Sequence, residues 1–60
     1  MKVYMPIYKA TVPNVVYEDL DSAKTFFDAD ITWELKEDYF IGVVDGKLDE
    51  NFIIEQFEVI

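Results

Sequence analysis

The feature that most constrains the fold is an unbroken apolar run, Tyr39-Phe-Ile-Gly-Val-Val44, in a chain of 60 residues. Successive side chains of a strand point to opposite faces, so this run predicts a strand that is buried on both faces. Asp45-Gly46 follows the run and is typical of a two-residue hairpin turn. The run therefore predicts a central strand that needs a packing layer on each side.

Three further segments are predicted to be strands. Lys2–Val12 is rich in β-branched and aromatic residues, and Pro6 within it cannot donate to a ladder, which predicts an edge strand or a bulge. Ile31–Glu37 alternates between apolar and polar residues, as a half-buried strand does. Phe52–Ile60 is predicted to be the last strand. The polar stretch Asp45–Asn51 before it is interpreted as a solvated turn.

One helix is predicted over Asp19–Phe27, with Asp19 as its N-cap and Leu20, Ala23, Phe26 and Phe27 on one face. Asp28 and Asp30 lie near the negative end of the helix dipole and are unfavourable there, so the helix is expected to depend on packing for its stability. The resulting prediction is a single α+β domain over residues 1–60. It is a small antiparallel sheet of about four strands with one short helix packed on one face, in the order β-α-β-β-β.

One short helix covers only part of one sheet face, so the other face is expected to meet something else. A 60-residue domain without cysteine has no disulfide to add to its small core, and association of two copies is the simplest remaining source of stability. The sequence thus predicts a homodimer with two-fold symmetry. Its interface is predicted to include the apolar residues Phe40, Val43, Val44, Phe57, Val59 and Ile60.

Thirteen acids against five lysines give a net charge of −8, which repels the phosphates of nucleic acids and anionic membranes. We therefore expect no direct binding to nucleic acid or to a membrane. The charge favours a larger partner protein with a basic site, which the acids would occupy in place of nucleic acid. An acidic surface that serves solubility alone is the alternative. The candidate partner-binding residues are Glu34, Glu37, Asp38, Asp45, Asp49, Glu50, Glu55 and Glu58.

The chain contains no histidine and no cysteine, which removes the usual neutral-pH base, the thiolate nucleophile and the Cys/His zinc sites. Pairs of carboxylates are the remaining catalytic groups, and a domain of this size has little room for a substrate cleft. The spacing of Asp45–Asn51 does not match a calcium loop, and Lys47 lies inside it. The prediction is a protein that is not an enzyme and uses no cofactor or metal.

The first residues bear on location. Met1 has the character of a native start, and the segment after it is interrupted by Pro6 and Lys9. That segment is too short and too polar for a signal peptide or a membrane span. We therefore expect a cytoplasmic protein, in the cytoplasm of the host cell if the protein is viral.

Three segments resemble those of short phage-encoded accessory proteins: Met1-Lys-Val-Tyr4, Asp19-Leu-Asp-Ser-Ala-Lys-Thr-Phe26 and Glu55-Gln-Phe-Glu-Val59. They cover under half of the chain. Characterised proteins of this kind include inhibitors of bacterial defence, among them anti-CRISPR proteins and the small inhibitor of the Hachiman system. The resemblance implies an inhibitor that binds and blocks a host protein, and it assigns no functional residues. A structural or regulatory interaction subunit is the alternative.

Overall fold

The computed structural model describes residues 1–12, 14–27 and 31–60. Its elements are β1 (Lys2–Tyr8), α1 (Leu20–Lys24), β2 (Thr32–Leu35), β3 (Tyr39–Val44) and β4 (Lys47–Glu58). The four strands form one open antiparallel sheet in the order β1-β4-β3-β2. The described chain is thus mainly β with one short helix, in the predicted order of elements.

Strand β1 lies at one edge of the sheet, as Pro6 predicts. The backbone of Tyr4 exchanges hydrogen bonds of 2.7 and 2.8 Å with Tyr17, on the side away from β4. Pro6, two residues later, turns its nitrogen to the same outer side. The missing N–H therefore removes no bond from the ladder with β4.

Strand β1 ends at Tyr8, so the prediction that it extends to Val12 is wrong. Lys9 and Ala10 both take positive φ angles, 51° and 64°, and the N–H of Thr11 donates to the carbonyl of Tyr8 over 2.9 Å. Two consecutive left-handed residues make a tight turn of the primed hairpin type. Neither residue is the glycine or asparagine that normally marks such a turn.

The β3–β4 hairpin turns at Asp45-Gly46 with φ angles of 53° and 77°, as predicted. Strand β4 begins directly after it at Lys47, so the solvated turn predicted for Asp45–Asn51 is wrong beyond Gly46. Register passes from the pair Ile41–Ile53 to the pair Gly42–Asp49, which leaves residues 50–52 as a bulge in β4. The mostly exposed polar residues of 47–51 therefore belong to a long strand that bulges.

Strand β2 forms the second edge and covers Thr32–Leu35, a shorter range than the predicted Ile31–Glu37. The turn that follows is closed by the N–H of Lys36, which donates to the carbonyl of Tyr39 over 2.8 Å. The alternation of Ile31–Glu37 places Leu35 on the same, apolar side as Ile31 and Trp33, yet Leu35 is 56% exposed. Leu35 is exposed because it lies on the edge strand β2, whereas the helix contacts β1 at the opposite edge of the sheet.

Helix α1 begins as predicted, since the Asp19 carboxylate accepts hydrogen bonds from the N–H and hydroxyl of Ser22 over 2.9 and 3.0 Å. The helix ends at Lys24, and the chain continues to Phe27 in tight turns. Asp28 and Asp30 lie outside the described residues. Within those residues no helix is long and apolar enough to cross a membrane.

The main core lies between α1 and the sheet face that carries Pro6 and Ile54, and Ile41 on the opposite face is also buried, at 5% exposure. Pro6 and Ile54 are paired across β1 and β4, and both are fully buried, as is Ala23 of the helix. An aromatic cluster continues this layer: the Phe27 ring lies 5.1 to 6.5 Å from the rings of Trp33, Phe52 and Tyr8. We call this side of the sheet the helix-side face.

Gly42 allows the aromatic cluster to approach β3. A Cβ atom at this position would lie 2.7 Å from Phe52 Cβ and 2.9 Å from Ile31 Cγ2. Both distances are shorter than van der Waals contact, so any larger residue would push β4 away from β3. The glycine in the apolar run thus has a packing role at the helix-side face.

Replacing Ala10 with glycine tests the strained turn after β1. Because glycine adopts positive φ freely, we expect Ala10→Gly to raise the free energy of unfolding by about 0.5 to 1 kcal/mol. The same substitution in right-handed backbone, Ala23→Gly in α1, is the control and should lower it. Urea unfolding followed by circular dichroism measures both, and a loss of stability in Ala10→Gly would contradict the turn.

Candidate functional site

The sheet face opposite α1 is the candidate functional surface. Register places Glu34, Ile41, Ile53 and Ile7 in one row across all four strands. The next row contains Tyr39, Glu55 and Met5 of three strands. No described helix covers this surface, which we call the open face. It comprises Val3, Met5, Ile7, Thr32, Glu34, Tyr39, Ile41, Val43, Leu48, Ile53, Glu55 and Phe57.

A groove of about 380 Å³ crosses the open face. Its floor consists of Ile7 of β1, Ile53 of β4 and Ile41 of β3, which are neighbours across the three strands. Ala10 of the strained turn contributes to one end. The remaining lining residues are Tyr39, Glu50 and Glu55. The groove therefore combines a branched aliphatic floor with two carboxylates and one phenol.

A second, more polar hollow of about 520 Å³ adjoins the groove and shares Tyr39, Ile41 and Glu50 with it. Asp49 and Asn51 also line this hollow, and the Asp49 carboxylate accepts a hydrogen bond from the Asn51 N–H over 3.0 Å. The bulge at residues 50–52 brings these polar groups to the border of the open face. Strand β4 thus supplies both the apolar floor and much of the acidic rim.

The two glutamates of the groove have no ion-pair partner within 4 Å among residues 1–12, 14–27 and 31–60. Ion pairs in these ranges join Lys36 to Glu34 (3.7 Å), Lys24 to Asp21 (4.0 Å) and the amino terminus to Glu58 (3.8 Å). Lys9 instead lies 5.3 Å from the centre of the Tyr8 ring, which belongs to the helix-side face. The groove is consequently negative, with its nearby lysine, Lys36, already paired.

The structure gathers some of the predicted partner-binding acids and separates others. Glu34, Glu50 and Glu55 lie on the open face or line its groove, and Asp49 lines the adjoining hollow. The remaining four are at the ends of strands. Glu37 and Asp38 lie in the β2–β3 turn, Asp45 in the β3–β4 turn, and Glu58 near the amino terminus.

The predicted interface residues do not form one surface. Val43 and Phe57 belong to the open face, where Phe57 is 44% exposed. Phe40 and Val44 alternate with them on the helix-side face, and the Phe40 ring lies 6.5 Å from that of Tyr4. The last two, Val59 and Ile60, follow β4 and are exposed. The homodimer itself stays a prediction, because a single chain does not test it.

The floor of the groove was not identified from the sequence. Its signal was present in the alternation of β1, where Val3, Met5 and Ile7 face away from Tyr4, Pro6 and Tyr8. The pairing of Ile7 with Ile53 and of Ile53 with Ile41 depends on strand order. That order is a tertiary property which alternation within one strand does not reveal.

The lining of the groove suits binding of another molecule through apolar contact and charge. Among the described residues no group of three or more acidic, histidine or cysteine side chains is arranged to hold a metal ion. Comparisons with protein-family models, with curated proteins and with solved structures found no match to this chain. Function is therefore inferred from the open face, its groove and its charge.

Glu55 tests whether the open face is optimised for stability. This half-buried carboxylate lies between Met5 and Tyr39 in a central strand, where threonine has the higher strand propensity. We expect Glu55→Thr to raise the free energy of unfolding by about 0.5 kcal/mol. Glu58→Thr, at the end of the same strand, also removes an exposed ion pair with the amino terminus, so it should leave the free energy of unfolding unchanged or lower it by up to about 0.5 kcal/mol.

Urea unfolding of both variants at equal protein concentration is the measurement. A gain confined to Glu55→Thr would mean that the carboxylate is kept at a cost in stability, as binding residues often are. A loss of stability in Glu55→Thr would instead assign Glu55 a structural role.

Proposed function

We propose that this chain is a small acidic protein, without enzymatic activity, that binds a larger protein through the open face and blocks a basic nucleic-acid-binding site. The observation that carries the proposal is the composition of that face: aliphatic residues in register across the sheet, bordered by Glu50 and Glu55, which have no ion-pair partner among the described residues. The apolar residues and the carboxylates of the open face each indicate a property of the partner.

The apolar half indicates a protein partner. Val3, Met5, Ile7 and Ile53 are only half-buried, and Phe57 is 44% exposed. A contiguous apolar surface with a polar rim is typical of protein-binding sites. Nucleic acid as a direct ligand is disfavoured, because its phosphates would meet the glutamates of the same face.

The charged half indicates that the partner is basic. A chain with a net charge of −8 attracts cationic surfaces over a distance of about one Debye length, roughly 10 Å at 0.1 M salt. A cationic surface that evolved to bind phosphates is complementary to such a rim of carboxylates. Occupation of that surface would exclude nucleic acid, which makes the chain an inhibitor.

The resemblance of three segments to short phage-encoded inhibitors agrees with this function. It would make the partner a bacterial protein that acts on nucleic acid in host defence, and the chain a counter-defence protein in the host cytoplasm. The alternative is a structural or regulatory subunit whose acids serve solubility alone. The two functions differ in one measurable property, since only the inhibitor competes with nucleic acid for its partner.

A competition experiment tests the proposal. The chain is immobilised through Ile60, which is fully exposed, and nuclease-treated bacterial lysate is applied at about 50 mM salt. We expect a retained protein that duplex DNA displaces and that salt releases at about 300 mM, because both compete for a cationic site. Retention that DNA does not reverse would contradict the proposal.

Charge variants distinguish the open face from the acidity of the whole chain. Asp49→Asn, Glu50→Gln and Glu55→Gln together neutralise three acids at the groove and its rim. We expect this triple variant to lose the DNA-displaceable protein, since the complementary charges are gone.

A matched control neutralises three acids elsewhere and leaves the same net charge of −5, which is −8 plus 3. Its substitutions are Glu18→Gln, Asp19→Asn and Asp21→Asn, which lie outside the groove, the hollow and the predicted partner-binding residues, and asparagine retains the helix cap at Asp19. This control should keep the retained protein. Equal loss in both triple variants would show that overall charge, and not the open face, governs binding.

A further inference from the structure

We infer that the groove of the open face is a receptor for one cationic, long-chained side chain of the partner, with arginine as its best ligand. This inference rests on the proposed function and deepens it by naming the chemical group that enters the groove. It follows from the pairing of an aliphatic floor with Glu50 and Glu55 in one concave site.

The apolar floor of the groove favours a ligand with an aliphatic chain. Ile7, Ile53 and Ile41 are paired across three strands; Ile7 and Ile53 are half-buried and present branched aliphatic surface without a polar atom, and Ile41 beneath is 5% exposed. A metal ion or a small inorganic cation gains nothing from such a floor. The methylene groups of an arginine or lysine side chain do, because these residues bury their stems on apolar surface while the charged end remains at a polar border.

The carboxylates at the border of the groove favour a guanidinium group at the end of that chain. Glu50 and Glu55 line the groove, and neither forms a described ion pair. The guanidinium group presents five donors in a planar fork that carboxylates accept, whereas an ammonium group acts as a point charge. Tyr39, also in the lining, offers a ring on which a guanidinium can stack.

The groove has room for one inserted side chain. Its volume of about 380 Å³ is near the lower end of ligand sites, roughly 300 to 1,000 Å³. The groove is an open depression in a sheet, so a side chain projecting from a folded partner reaches it without rearrangement of either backbone. The occupant is thus a basic residue at the surface of the partner.

A second copy of this chain is a poorer occupant of the same surface. Two open faces in contact would bring together two copies each of Glu34, Glu50 and Glu55. Lys36 is the lysine that lines this side, and it already contacts Glu34 at 3.7 Å. Like charges facing each other across an interface oppose association, so charge complementarity favours the basic partner.

A titration followed by methyl and amide NMR tests the groove without knowledge of the partner. The probe is N-acetyl-arginine amide, and N-acetyl-citrulline amide is its neutral match in shape. We expect saturable shifts at Ile7, Ile41 and Ile53, with citrulline binding at least about fivefold more weakly because it lacks the charge. Equal binding of both probes, or no saturable shift at these residues, would overturn the inference.

Single variants assign the charge to the groove. Glu55→Gln and Glu50→Gln should each weaken arginine binding by about fivefold and leave citrulline binding unchanged. Glu18→Gln carries the same change in net charge outside the groove and should alter arginine binding by less than about twofold. If Glu18→Gln weakened arginine binding equally, the net charge of the chain would account for the binding, and the inference would be overturned.

The outcomes separate this inference from the proposed function. If DNA displaces a retained protein while arginine does not bind the groove, the function stands and the groove inference fails. If arginine binds the groove and DNA displaces no retained protein, the groove inference stands and the proposed inhibition of a nucleic-acid-binding protein fails.

Discussion

The structure depends on the pairing of β4 with both β1 and β3. This strand places Ile54 next to Pro6 on one side and next to Phe40 on the other, and α1 closes over that surface. Among the described residues, the fully buried side chains of Pro6, Ile54 and Ala23 lie in this layer. The same pairing fixes the opposite surface as well, because a strand that turns Ile54 towards the helix must turn Ile53 and Glu55 away from it.

A sheet covered on one face has a consequence for function. On the helix-side face, the aromatic cluster around Phe27 continues the core that α1 and the sheet form. A domain of 60 residues buries only a limited surface, and no described helix packs on the opposite face. On the open face Ile7 and Ile53 stay in partial contact with water, Ile41 between β2 and β4 is buried, and carboxylates lie among and beside them. Most fully buried side chains therefore lie on one side of the sheet, and the groove for which we propose a binding role lies on the other.

Local chemistry allowed much of the fold to be predicted from the sequence. The Asp19 cap, the turn at Asp45-Gly46 and the edge position of β1 each follow from the properties of one or two residues. The turn at Lys9-Ala10 could not be predicted, because these residues adopt positive φ without the side chains that favour it. The start of β4 was missed for a related reason, since a bulged strand can have the composition of a loop.

The candidate site shows the same division between local and tertiary information. Its acids were predicted from charge, but only the folded structure shows that Glu50 and Glu55 share a groove while Glu58 lies near the amino terminus. The apolar residues predicted as one interface are divided between two faces because Val43 and Val44 are neighbours in a strand. An unbroken apolar run does not specify which of its two faces the rest of the chain covers.

The free protein presents a protected sheet face and an open one. The most direct test is methyl NMR with a soluble paramagnetic gadolinium chelate, which broadens signals from accessible groups. We predict strong broadening for the methyls of Ile7 and Ile53 and little for those of Ile54 and Ala23, which are fully buried. Equal protection of Ile53 and Ile54 would contradict the claim, because a second layer would then cover the open face in the free protein.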